Sequence, residues 1–387
     1  MDGVAGQPAR DVPRVTTEWS DTKTTTDALY AGLGDQLFAA IVVFATPNAD
    51  LDGLTQGLKA RVPDAHVLGC TTAGEIGDGG YIDNSVVAVA FPAENFCVAP
   101  VVIENLGDLG AAGLSRLVLE ARNDTASARP EFDNEFAMLL VDGLSRKEDQ
   151  LVNALTPVLG PMPMFGGSAG DALKFKDTHI SLDGVSYSNA AVLLLIRTQF
   201  SVRIFRFDNF EPTETRMVVT SADAEARVVH EINGEIAARE YARLVGKNPD
   251  ALSPFIFAAN PVVVKVGGQF HVRSIQQVEP NGHLKFFSAI DEGLVLTVAE
   301  GQNFAEHLDG ALDSLCQVQT PAAIIGCDCV LRRLDAEQSQ KASAISRILA
   351  KYKVVGFSTY GEQYNGLHVN QTFTGVAVYP APRCGTQ

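Results

Sequence analysis

At 387 residues the chain exceeds what one ordinary hydrophobic core supports, so two or three domains are expected. Its 46% hydrophobic and 20% charged residues make a globular composition and exclude a disordered chain. The formal charge of −16 argues against an anionic polymer as partner: a nucleic-acid binder carries basic stripes, and the densest basic cluster, over 341–353, is diluted by apolar positions and reads as a helix.

Residues 1–15 are polar, unpatterned and read as a disordered tail. The first twenty residues lack the apolar core of a signal peptide, and apolar stretches such as 190–196 fall far short of the roughly 20 residues of a membrane helix. A cytoplasmic protein is the expectation. The run 38–44 then reads as a strand buried on both faces, followed by a helix with Leu51, Leu54 and Leu58 on one side. A second short strand enters the turn Gly69-Cys-Thr-Thr-Ala-Gly-Glu75, and 85–91 is a closing strand.

The same order recurs further along. Residues 136–142, Leu151/Leu155, the turn Gly166-Gly-Ser-Ala-Gly-Asp171 and a strand over 189–196 form a second copy. The polar stretch 221–227 suggests a boundary near 230, giving an N-terminal domain 16–230 and a C-terminal domain 231–387. Runs at 255–266, 270–278, 283–290 and 294–298 read as further strands. A third copy follows: 321–327, Ile345/Ile348/Leu349, the turn Gly356-Phe-Ser-Thr-Tyr-Gly-Glu362, and 375–379. Ile41 precedes Gly69 by 28 residues, and Met138 precedes Gly166 by 28; Ile324 precedes Gly356 by 32. Such repetition points to an α/β fold with mixed, partly parallel sheets flanked by helices, built from one repeated strand–helix–strand–turn unit.

Ligands of open α/β sheets gather beyond the carboxyl ends of strands, where these turns lie. Gly69, Gly74, Gly166, Gly167, Gly170, Gly356 and Gly361 would let a ligand approach the backbone, and Thr71, Thr72, Ser168, Ser358 and Thr359 offer hydroxyls beside Cys70. Each turn ends in a carboxylate, Glu75, Asp171 or Glu362, which favours amine, amide or hydroxyl groups over phosphate. The structural alternative is that the glycines serve tight turns and the acids cap backbone amides. Gly166-Gly-Ser168-Ala-Gly170 also matches the nucleophile elbow of serine hydrolases, but Pro161 and Pro163 interrupt the approach, 171–184 reads as loop and strand, and His230 or His283 would complete the Asp-then-His order only by accident. A non-enzymatic binding protein is the better reading. None of the cysteines forms a C-x-x-C pair, and Cys327 and Cys329 read as strand thiols. His179 lies near the middle turn as a possible metal or haem ligand; strand alternation puts His368, Asn370 and Thr372 on one face.

The three turns together resemble the FIST family of sensory proteins, with Asn233-Gly-Glu-Ile-Ala-Ala-Arg-Glu-Tyr241 similar to the opening of its C-terminal domain, and Arg273 and Gly293 at that domain's usual Arg and Gly. The resemblance implies small-ligand binding in intracellular signal transduction, with amino acids or related metabolites as ligands. In some members it implies b-type haem, nitric-oxide sensing and inhibition of a separate histidine kinase that feeds cyclic-di-GMP or quorum circuits. His179 matches the haem-ligand position of those members, whereas the tyrosine associated with it is Ser181 here.

Overall fold

A lead strand and a helix precede the opening strand of each copy, and these complete the unit. The computed structural model describes residues 12–266 and 268–380. The first copy runs β1 (Arg14–Glu18), α1 (Thr22–Leu33), β2 (Phe38–Ala45), α2 (Leu51–Arg61), β3 (His66–Thr71), the hairpin β4 (Glu75–Gly77) and β5 (Gly80–Ile82), and β6 (Ser85–Pro92). The second repeats this order as β7 (Phe96–Ile103), α3 (Ala111–Ala128), β8 (Asn134–Val141), α4 (Glu148–Leu159), β9 (Met164–Ser168), β10 (Ile180–Leu182), β11 (Val185–Tyr187) and β12 (Ala191–Thr198).

The third copy opens with β13 (Ser201–Phe207) and is then interrupted. An inserted module carries β14 (Phe210–Asp223), β15 (Val228–Ile232), β16 (Glu235–Ile236), α5 (Ala237–Leu244), α6 (Pro254–Ala259), β17 (Val262–Val266), β18 (Gln269–Arg273), β19 (Ile275–Val278), β20 (Leu284–Phe286) and β21 (Val295–Gly301). The copy resumes with α7 (Phe304–Cys316), β22 (Ala323–Cys329), α8 (Val330–Gln338), α9 (Ala342–Lys351), β23 (Val354–Thr359), β24 (Glu362–Tyr364), β25 (Leu367–Val369) and β26 (Phe373–Tyr379). Two helices, α8 and α9, stand where the other copies have one, which accounts for the longer spacing of this copy.

Each copy forms a six-stranded sheet of identical order, with lead, closing, opening and second strands of its own and a hairpin from another copy. The opening and second strands pair in parallel, as β2 with β3, β8 with β9 and β22 with β23, and the other neighbours are antiparallel. Hairpins are exchanged in a cycle: β4–β5 joins β23, β24–β25 joins β9, and β10–β11 joins β3. The inner faces of the three sheets share one core, which includes Phe44, Val89, Phe136, Leu194, Ile325 and Phe357, with the Phe44 and Phe357 rings stacked at 4.6 Å. The outer faces pack on helices, for instance Ile41, Val43 and Ala45 with Leu54 and Leu58. Alternation along β2 therefore buries both faces, which is why the run is apolar throughout.

Two expectations are corrected. Val12 is buried at 2% exposure and Arg14 starts a paired strand, so of the tail anticipated over 1–15 only 1–11 lie outside the described residues, and 12–15 belong to the fold. Residue 230 falls inside β15, which pairs with β14 on one side and β20 on the other within the insertion β14–β21. Residues 255–259 are helical, because Pro254 at the first helical position starts α6 before the β-branched run of β17. Among the described residues no helix is long and apolar enough to cross a membrane.

Candidate functional site

The three turns meet. Ser358 N–H donates to Gly74 O (2.7 Å) and Ala73 N–H to Ser358 O (2.9 Å); Ser168 N–H donates to Gly361 O (2.9 Å) and Gly170 N–H to Thr71 O (3.0 Å). At this junction each chain leaves its own sheet for its neighbour's, and the glycines permit the crossing. A Cβ on Gly69 would lie 2.5 Å from Val43 O, and one on Gly166 or Gly356 would come closer still to the carbonyls of their parallel-strand partners Leu139 and Gly326.

The terminal carboxylates are structural as well. Glu75 accepts from Thr72 Oγ1 and, at 3.2 Å, from Ser85 N–H. Ten residues on from Glu362, Thr372 donates its N–H (3.1 Å) and Oγ1 (2.8 Å) to it in the same way. Asp171 gathers the N–H groups of Phe175, Lys176 and Asp177, with Tyr360 OH. Gly69, Cys70, Thr71, Thr72, Gly166, Gly167, Ser168, Gly170, Ser358, Thr359 and Gly361 thus form a packed crossing, in which the Ser358 Oγ is buried without a partner. Ser168 is wholly buried at the end of β9, its Oγ accepting from Gln363 Nε2 (3.1 Å), and a loop rather than a helix follows it, so no nucleophile elbow forms. Cys327 and Cys329 are buried strand thiols of β22.

His179 carries a side chain 42% exposed, with Nε2 3.0 Å from Asp177 Oδ2, and its main chain pairs with Thr71. Ser181 is buried and bonds Thr55 Oγ1 at 2.9 Å. A haem held from His179 would need an apolar slot over an available ring nitrogen; with charged, exposed Asp177 on that nitrogen, these residues do not fit one.

The exchanged hairpins offer an internal comparison. Their central pairs are Ile76 with Tyr81, Ser181 with Ser186, and Gln363 with His368, each seated beside a junction glycine. Ile76 is apolar, Ser181 is bonded, and Ser186 is exposed. Only the third hairpin buries polar groups without partners: Gln363 Oε1, His368 Nε2, both amide atoms of Asn370, Gln371 Oε1 and Glu362 Oε1. In the first copy the position of Asn370 is Asp83, largely exposed and paired with Arg333. Burial of an unsatisfied polar group costs about 1–3 kcal/mol, so six such atoms at and just after one hairpin set it apart from the other two.

Helix α4 and the inserted module cover this hairpin. The first turn of α4 brings Glu148 and Asp149, which bind Arg227 Nη2 at 2.8 and 3.2 Å. The module brings Arg273 and Ser274, whose Nε and Oγ lack partners, and Ser288, whose Oγ does too. Asp149 also accepts from Ala289 N–H (3.1 Å), and Gln371 Nε2 donates to Phe257 O (3.4 Å), which ties the module to the hairpin. Burial alone would raise the Asp149 carboxyl, but His368 when it carries a proton, and Arg227 and Arg273 in any case, lower it. Burial lowers His368 further than Asp149 and Glu148 raise it, so its ring is neutral. With Gln363 Nε2 donating to Nδ1 at 3.4 Å, the His368 proton sits on Nε2 as a donor. The site thus presents a cation at Arg273, an anion at Asp149, and amides and hydroxyls between them, a set suited to holding a small zwitterion.

Residues 39–235 match the FIST N domain and 237–365 the FIST C domain. The chain belongs to the FIST family. FIST domains are sensory domains of signal transduction, and the fold described above is that of a FIST pair in this chain. The FIST protein is also similar, at 22% identity over 216 residues, to an uncharacterized protein of Methanocaldococcus jannaschii; the match covers 54% of this chain and 41% of that relative. Of the residues anticipated from sequence, His368, Asn370, Arg273 and Glu362 fall in the buried polar site. Gln363, Gln371, Asp149 and the two serines were missed, because burial and tertiary contact decide their role.

Proposed function

We propose that this FIST protein is a non-catalytic sensor that binds an amino acid or a similarly polar metabolite between the β24–β25 hairpin and the inserted module. The observation that carries the reading is the set of partnerless buried polar atoms in one of three otherwise equivalent hairpins. Arg273 receives the ligand's carboxylate, Asp149 its ammonium group, and Asn370 its remaining polar atoms. The module and the repeats each contribute to the site, so ligand binding alters how firmly they are held together, and that change is the output. A separate cytoplasmic partner, such as a histidine kinase or a cyclic-di-GMP enzyme, reads it. Nitric-oxide sensing through haem on His179 is the less favoured version, given the Asp177 contact.

A thermal-shift screen of free amino acids and related metabolites tests the reading. A ligand at 100 times its Kd adds about 2.7 kcal/mol of stability. Asn370→Leu should remove the response while leaving the protein folded. If no amino acid or polar metabolite raises the melting temperature, or if Asn370→Leu responds like the parent, the site is misassigned. A Soret band after haem reconstitution that is lost in His179→Ala would reinstate the haem version.

A further inference from the structure

A second opening lies where the module joins the repeats. Two chain segments make that joint: 207–210 leads in and 301–304 leads out. They run side by side, with Phe210 paired to Gly301 and Gln302 N–H donating to Asn209 O at 2.8 Å. Beside them is a cavity of about 190 Å³, bounded by Arg206 and Val369 of the repeats and by Phe210, Val263, Phe270 and His271 of the module. Val369 follows His368 on β25, and alternation turns it to the opposite side, while Thr372, which donates to Glu362, also borders the cavity, so the cavity adjoins the polar site.

The chemistry of the walls is uneven. Phe210, Val263 and Phe270 give the cavity apolar walls, and Arg206, Asp208, His271 and Thr372 give it polar ones. The Arg206 guanidinium stands 5.5 Å from the Tyr364 ring centroid, with Nη1 3.4 Å from His271 Nδ1. Its carboxylate neighbour, Asp208, is 3.5 Å away and 42% exposed, while Arg206 itself is 18% exposed. Burial, together with Arg206 and Arg273, lowers the pKa of His271, which leaves Arg206 as the cation that this cavity offers an anion. A half-hydrated Asp208 is a weak partner for a largely buried arginine. A planar, bidentate anion satisfies such a guanidinium better.

We propose that this joint cavity is a second ligand site, for a small amphipathic carboxylic acid whose carboxylate binds Arg206 and whose apolar body lies between Phe210, Val263 and Phe270. An acid held there touches both the repeats and the module, and so restrains the joint about which the module meets the polar site. Its binding and that of the polar ligand are therefore coupled, and the coupling is reciprocal.

The test uses the whole chain and two probes of one shape, phenylacetate and phenylacetamide, titrated by calorimetry. Phenylacetate should bind saturably with one site, and the neutral amide at least tenfold more weakly, a difference of about 1.4 kcal/mol. Arg206→Gln should weaken phenylacetate at least tenfold, whereas Asn370→Leu, in the other site, should leave it within twofold. Equal binding of acid and amide to the parent chain overturns the proposal without any variant having to fold. Loss of phenylacetate binding in Asn370→Leu but not in Arg206→Gln would place the acid in the polar site instead and also overturn it. The proposal stands independently of the amino-acid reading, because a negative amino-acid screen does not bear on the phenylacetate titration.

Discussion

Replacing Gly69 by alanine separates a packed crossing from a ligand cradle. The added Cβ would sit 2.5 Å from Val43 O and 3.0 Å from Leu51 Cδ1. Ordinary C···O approaches begin near about 3.3 Å, so β2 and β3 would have to part by roughly 0.8 Å, against a normal strand spacing of about 4.8 Å. Both strands are enclosed by the shared core and by α2, so the strain cannot be relieved toward solvent. Overpacking of this kind costs about 1–3 kcal/mol. Gly113→Ala, in α3 with no heavy atom within 4 Å of its would-be Cβ, is the control and should gain about 0.5–1 kcal/mol from helix propensity. Differential scanning fluorimetry should show Gly69→Ala melting several degrees below the parent and Gly113→Ala at or above it. A Gly69→Ala protein with parental melting temperature but no response to ligand would refute the reasoning, because the glycine would then be serving the ligand and not the crossing.

Three further outcomes follow from particular residues. Burial lifts the Glu75 carboxyl to about 7, opposed by the bonds from Thr72 and Ser85 and by Arg333. A folded-state pKa above the unfolded value means stability is fullest below about pH 4.5 and declines as pH rises through 7. Chemical denaturation of the parent relative to Glu75→Gln should accordingly lose on the order of 3 kcal/mol between pH 4.5 and 8, and a flat difference would disprove the shift. Asp328 and Arg332 form a buried pair at 2.7 Å, 3% and 2% exposed, so Arg332→Met should cost about 3–5 kcal/mol, whereas replacing both by apolar residues should recover most of it. Asn370→Leu removes two partnerless amide atoms and should raise urea resistance by about 1 kcal/mol while abolishing ligand response; a fall in stability would mean that the amide is satisfied within the protein.

Local chemistry carried much of this far in advance. The doubly buried strands β2, β8 and β22 were legible because a strand covered on both faces must be continuously apolar, and α2, α4 and α9 because their leucines and isoleucines recur at three and four residues. Threefold repetition and the FIST resemblance were legible for the same reason: every copy needs a glycine where parallel strands close on one another. What sequence could not supply was the partner of each hairpin. β4, β10 and β24 are three residues long, too short to signal which sheet accepts them, and the cyclic exchange is decided by the shared core on which all three sheets close. Exchange turned the turns from a surface cradle into a buried junction. It also carried the Gln363–His368 pair onto the second copy's sheet, beneath α4 and the inserted module. Polarity at those positions was plain from the sequence, but whether a polar residue is solvated or buried without a partner is a property of its neighbours, and only the tertiary structure assembles them.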